Sequence, residues 1–187
     1  MKLISLDEAQ LNENSLTTIL SNVIPTRIHN YNVVFFCIGS DRSTGDSLGP
    51  LVGSFLTEKG YPNVMGTLDE PIHAQNLEDK ISEIPKNKTI IVIDSSLGIR
   101  QDIGKVFVSC GGLEPGLGIG KSLTSIGDYS IKGIVNVRGP LVHQVLQSTR
   151  LSLVIKIAEE IARGLAYRFP LANKYRFYTE QKIKVTV

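Results

Sequence analysis

The chain has 187 residues, with 20 Lys+Arg against 18 Asp+Glu, giving a net charge of +2 when histidine is neutral. That length suits one domain, spanning 1–187, with a sizeable core. Its 42% hydrophobic and 20% charged residues exclude a disordered chain. Near-neutrality excludes a general attraction to nucleic acid or anionic membrane, so any partner must be named by local motifs.

The first segment has Leu11, Leu16, Leu20 and Val23 on one helical face, with Pro25 just beyond. This predicts an amphipathic helix over about 8–24. Acidic residues arrive at once in Met-Lys-Leu-Ile-Ser-Leu-Asp-Glu, so no secretory signal is expected. Val33 to Ile38 is an unbroken apolar run, the pattern of a strand covered on both faces. A polar loop follows, from Gly39 to Gly45. Leu48, Leu51, Val52, Phe55 and Leu56 then repeat at helical spacing, up to Gly60.

Val64–Leu68 predicts a second strand and Ala74–Ile84 a second crossover helix, closed by Pro85. Thr89 to Asp94 is a third strand, apolar until its terminal carboxylate. Lys105–Cys110 and Gly133–Val137 predict two more, separated by a glycine-dense loop at Gly111–Gly120. Leu151, Val154, Ile155, Ala158, Ile161, Ala162 and Leu165 form a broad apolar helix face, with Lys156, Glu159, Glu160 and Arg163 opposite. Buried strands alternating with helices predict an α/β sandwich with a mostly parallel sheet. In the last segment, 168–187, Arg168, Lys174, Arg176, Lys182 and Lys184 stand against Glu180 alone. It reads as a solvated terminal hairpin rather than a nucleic-acid patch.

Sites in parallel α/β sheets form beyond the carboxyl ends of strands. Asp46 follows the first strand through the loop, and Asp94 ends the third. If those strands are neighbours, both carboxylates share one crevice, and mutual repulsion leaves one protonated and one ionised. That is an acid and a base for hydrolysis by an activated water. The structural alternative is that Asp46 caps the helix near Ser47 and Asp94 caps a turn. Asp69, Asp41 and His73 are expected at the same edge, where acids and an imidazole are able to hold a divalent metal or simply make turns.

Three further patterns compete. Gly116-Leu-Gly-Ile-Gly-Lys-Ser122 resembles a phosphate loop, but the required first glycine is Pro115. Its glycines Gly116, Gly118 and Gly120 still offer backbone N–H groups to an oxyanion or a peptide. Gly45-Asp-Ser47-Leu-Gly49 fits the nucleophile-elbow pattern, with Ser47, Asp94 and His143 in hydrolase order. This makes a serine esterase one alternative function, although about seven polar residues separate Ser47 from its strand; a non-catalytic factor that binds a peptide or protein in the same crevice is the other. The only cysteines, Cys37 and Cys110, sit in apolar runs, so inert reduced thiols are expected rather than a disulfide scaffold or zinc site.

Four segments carry a family resemblance: Gly39-Ser-Asp-Arg-Ser-Thr-Gly-Asp46-Ser-Leu-Gly-Pro50, Gly66-Thr-Leu-Asp69-Glu-Pro-Ile-His73-Ala, Ile91-Val-Ile-Asp94-Ser-Ser, and Pro115-Gly-Leu-Gly-Ile-Gly120-Lys-Ser-Leu. They resemble the bacterial spore germination protease and its smaller sporulation relatives of the YyaC type. The first and third are similar to hydrogenase maturation endopeptidases as well. The resemblance implies a three-layer α/β/α sandwich of the phosphorylase/hydrolase-like type. It also implies endopeptidase chemistry through two aspartates that map onto Asp46 and Asp94. Gly39, Ser40, Asp41, Asp69, His73 and the glycines at 116, 118 and 120 would then hold substrate.

The implied setting is the cytoplasm of a forespore or spore, and the implied partner is a peptide or protein, including spore proteins. In the hydrogenase maturation relatives the equivalent acids, with a histidine from the glycine-rich region, contact nickel. Residues 111–130 contain no histidine here. No cofactor is therefore expected, and a divalent metal at the Asp46/Asp94 crevice is the weaker alternative. A membrane partner is not expected, because no uncharged apolar stretch nears the roughly 18 residues that span a bilayer.

Overall fold

The computed structural model describes residues 13–114 and 125–171. Five strands form one sheet in the order β2-β1-β3-β5-β4. They are β1 (Val33–Cys37), β2 (Val64–Met65), β3 (Thr89–Gly98), β4 (Val106–Cys110) and β5 (Tyr129–Val137). β1 pairs in parallel with β2 and β3, β3 pairs in parallel with β5, and β4 alone runs antiparallel, against β5. The helices are α1 (Glu13–Val23), α2 (Leu48–Glu58), α3 (Leu77–Ser82), α4 (Val142–Gln147) and α5 (Leu151–Arg168).

The unbroken apolar runs have a direct cause. Val33, Phe35 and Cys37 of β1 join one core with Leu20 of α1, Leu48 and Val52 of α2, and Val154, Ile161 and Leu165 of α5. Val34, Phe36 and Ile38, with the opposite parity, join a second core with Leu77 of α3, Val92, Leu113 and Ile126. Both faces of the sheet are covered, so neither parity tolerates a polar residue. The architecture is the expected three-layer, mostly parallel sandwich.

The crossover helix after β1 lies on the first face and the one after β2 on the second. β1 and β3 therefore meet where the winding reverses, the place where open α/β sheets form a crevice.

Several boundaries differ from the sequence expectation. β2 ends at Met65, because Gly66 turns away at φ +88°. β3 runs four residues beyond Asp94, and β5 begins at Tyr129, four residues before Gly133. α3 is shortened to Leu77–Ser82, and α5 reaches Arg168, so the predicted hairpin over 168–187 begins inside a helix. The rest of that hairpin lies outside the described residues. Among the described residues no helix is long and apolar enough to cross a membrane.

Candidate active site

β1 stops at Cys37 while its neighbour β3 continues to Gly98. The chain leaves the β1 line at Gly39, whose N–H donates to the Ile72 carbonyl at 2.7 Å. A side chain there would strike the Asp46 carbonyl, with its Cβ 2.0 Å from the oxygen. The loop then folds back, the Ser40 N–H donating to that Asp46 carbonyl at 3.2 Å, and a 3-10 turn over Gly45–Ser47 leads into α2.

This places Asp46 beside the end of β1 and Asp94 on the adjacent strand. Both line one cavity of about 580 Å³. Its other walls include Ser43, Ser95–Leu97, Glu114, Lys132, Arg138 and His143 of α4, with Leu113, Gly139, Val142 and Leu146.

Asp46 does not serve as the helix cap that would explain it structurally, whereas Asp94 Oδ1 accepts the N–H of the next residue, Ser95. The 3-10 turn and α2 both begin without a side-chain capping bond. Burial raises the pKa of Asp46, opposed by a backbone hydrogen bond from Ser40 and by the His143 and His73 charges. Asp94 is raised further, to about 8, first by burial and then by the Asp46 charge. The Ser95 N–H, donating to Asp94 Oδ1 at 2.7 Å, and the Lys132 charge act against that rise. Lys132 is the β5 residue in register with Asp94.

The remaining expectations fare differently. Gly39 and Ser40 shape the loop but are not among the cavity walls. Asp41 is exposed and also stands apart from them. Asp69 is exposed in the turn closed by the Thr67 N–H to the Glu70 carbonyl, because β2 ends before reaching it. It does not join the acid pair. His73 is half-buried and outside the cavity lining, its Nδ1 accepting the Gln75 N–H at 3.3 Å. It reaches Asp46 only through its charge. Gly116, Gly118 and Gly120 lie outside the described residues.

Ser47 does not take the elbow geometry. It is buried, its hydroxyl donates to the Thr44 carbonyl at 2.7 Å, and it does not line the cavity. Its φ of −74° lacks the strain of an elbow. Cys37 is buried, and burial raises its thiol far above the range of a nucleophile.

The sequence reading missed α4. Its Val142, Val145 and Leu146 have helical spacing, but a six-residue helix gives a short signal. Asn136 holds α4 in place, donating to the Val145 carbonyl at 3.2 Å and to Thr149 Oγ1 at 3.1 Å. Leu146 and Thr149 close over Gly45, where an added Cβ would lie 2.8 Å from Leu146 Cδ2. His143 thereby faces the cavity, in a setting its place in a Ser-Asp-His order did not suggest. Among the described residues no group of three His, Cys, Asp or Glu side chains is placed to hold a metal ion.

A family model described as a protein of unknown function, DUF1256, matches residues 4–164. The chain belongs to the DUF1256 family. It is 47% identical over 139 residues to the uncharacterized protein YyaC of Bacillus subtilis (strain 168), covering 72% of this chain and 68% of that protein. The resemblance to the YyaC type is thus borne out. Among solved structures, this DUF1256 chain is similar to the NiFe hydrogenase maturation protease HycI of Thermococcus kodakarensis KOD1. The TM-score is 0.50 at 18% identity, over 83% of this chain and 99% of that one. A second such protease, HybD of Thermococcus kodakarensis, gives 0.47 at 17% identity, over 72% and 96%. The HycI match shows a shared, protease-like fold.

Proposed function

We propose that this DUF1256 protein is a sporulation-associated endopeptidase that hydrolyses peptide bonds with Asp46 and Asp94. One observation carries the reading: Asp46, in the loop beyond β1, and Asp94, within the neighbouring parallel strand β3, line a single cavity. Their unequal environments assign the roles. The Asp46 charge adds to burial at Asp94, so Asp94 is assigned as the acid of the pair and Asp46 as the carboxylate.

Asp46 takes a proton from water as the water oxygen bonds to the scissile carbonyl carbon. Asp94 gives its proton to the amide nitrogen as the C–N bond breaks. Carboxylic acid and amine products leave, and the proton on Asp46 passes back to Asp94. Lys132 and Arg138 line the same cavity, beside His143, and bring positive charge toward the developing oxyanion. The sporulation setting rests on the family resemblance, and a peptide or protein substrate on the fold shared with a protease.

The test is incubation of the purified chain with protein extract from sporulating cells, followed by mass-spectrometric mapping of new N-termini. Wild type generates new termini, and Asp46→Asn and Asp94→Asn each lose at least a thousandfold in rate with unchanged circular dichroism. Equal cleavage by either variant removes the pair from the mechanism.

A further inference from the structure

The cavity occupies the line that a longer β1 would have followed. The last β1–β3 pair is Cys37 with Ile93, after which the Ile38 N–H donates to the Ile93 carbonyl at 2.8 Å. Ile93 therefore directs its backbone groups toward β1. In a strand the N–H and C=O of one residue point to the same neighbour, and direction alternates along the chain. Ser95 and Leu97 share the parity of Ile93. By that alternation their backbone groups face the space beyond β1, while Asp94, Ser96 and Gly98 face β5; the register shift between Ser96 and Leu97 skips Val135 on β5 and no residue of β3.

Two bonds agree with that parity. The Gly98 carbonyl accepts the Arg138 N–H at 2.7 Å on the β5 side. The Leu97 carbonyl instead meets a side chain, Arg138 Nη2, at 3.4 Å. The Ser95 N–H is taken by the neighbouring Asp94 Oδ1. The Ser95 carbonyl and the Leu97 N–H remain without a strand partner among the described residues. Ser95, Ser96 and Leu97 all line the cavity, facing the Ser43 and Asp46 wall.

We propose that this open edge of β3 at Ser95 and Leu97 is a strand-addition site that takes the main chain of an extended peptide. The occupant is fixed by hydrogen-bond complementarity: an acceptor and a donor one pleat apart match an extended backbone. A folded partner or second copy would have to bring its own sheet edge into a cavity of about 580 Å³, walled by α4 and the Asp46 loop. The added strand runs past Asp94, so its amides pass the acid pair, and the backbone rather than a particular side chain sets its register. The inference rests on reading this cavity as a peptide site, but it concerns how the peptide is held.

Asp46→Asn protein, used as a non-cleaving trap, is panned against a display library of random twelve-residue peptides. One enriched peptide is synthesised, along with versions N-methylated at each backbone amide in turn. Methylation at one alternating set of central residues weakens binding about tenfold per site, and at the intervening residues less than twofold. Saturation with the parent peptide slows amide exchange at Leu97 at least tenfold. Failure to enrich any peptide, uniform tolerance of N-methylation, or unchanged Leu97 exchange overturns the proposal. Cleavage of the same peptide by wild type is read separately. Binding with these signatures but no cleavage keeps the strand site and removes the peptidase. Cleavage without them keeps the peptidase and removes the strand site.

Discussion

Asp94 retains its proton for two separable reasons, its burial and the charge of Asp46. In the folded chain it titrates at about 8, against 3.8 for an ordinary aspartate. Between those values the folded chain holds a proton that the unfolded chain has released. Stability therefore declines as pH rises through this window and levels off above it. Asn at 94 keeps the oxygen that accepts the Ser95 N–H but carries no charge. Asp94→Asn is thus predicted to melt higher than wild type at pH 8–9, by about 5 °C. The gap narrows steadily as the pH falls toward 4, and calorimetry across that range checks it. In the proposed mechanism the same proton sets the alkaline limb, so kcat/KM on a protein substrate is predicted to fall above about pH 8 as the acid is lost. Both acids were legible in the sequence, Asp94 because a carboxylate closing an apolar run has to find water or a partner, and Asp46 because it lies in the loop after the first apolar strand. Lys132 and Arg138 were not, since nothing local marks which basic residues will face a distant loop, and His143 stood out only through the Ser47 pattern.

At the scale of elements, the cavity exists because β3 outruns β1. The sequence pattern ended β3 at Asp94, where apolar residues give way to Ser95-Ser96. Those serines still lie in the ladder with β5, paired with Gly133 and Ile134. Apolar patterning shows where both faces of a strand are buried, and not where a strand continues along an open crevice. α4 went unread for a related reason: it is short and has no fully buried residue. Its hold comes instead from Asn136 and from packing on Gly45.

The join of β1 to α2 is tighter than any spacing rule conveys. A Cβ at Gly49 would lie 2.1 Å from the Ile38 carbonyl oxygen, and backbone cannot move aside cheaply. Gly49→Ala is predicted to destabilise the chain by about 2–3 kcal/mol in urea unfolding. It also displaces the Asp46 loop, so residual activity falls more than stability alone would cause.

Across the whole molecule, the layering was legible because β1 and β3 are apolar at both parities, which only a doubly covered sheet requires. The net charge of +2 concealed the feature that matters, the acids Asp46, Asp94 and Glu114 gathered with Lys132 and Arg138 around one cavity. The winding reversal between β1 and β3 brings together residues 48 positions apart, a pairing that strand order rather than composition determines. The central claim is that this architecture makes Asp46 and Asp94 one coupled acid–base pair. Carbon-13 carboxyl NMR titration of wild type and Asp46→Asn tests it most directly. The account predicts an Asp94 inflection near pH 8 in wild type that moves to clearly lower pH once the Asp46 charge is removed. An Asp94 resonance that titrates near pH 4 in both proteins would contradict it.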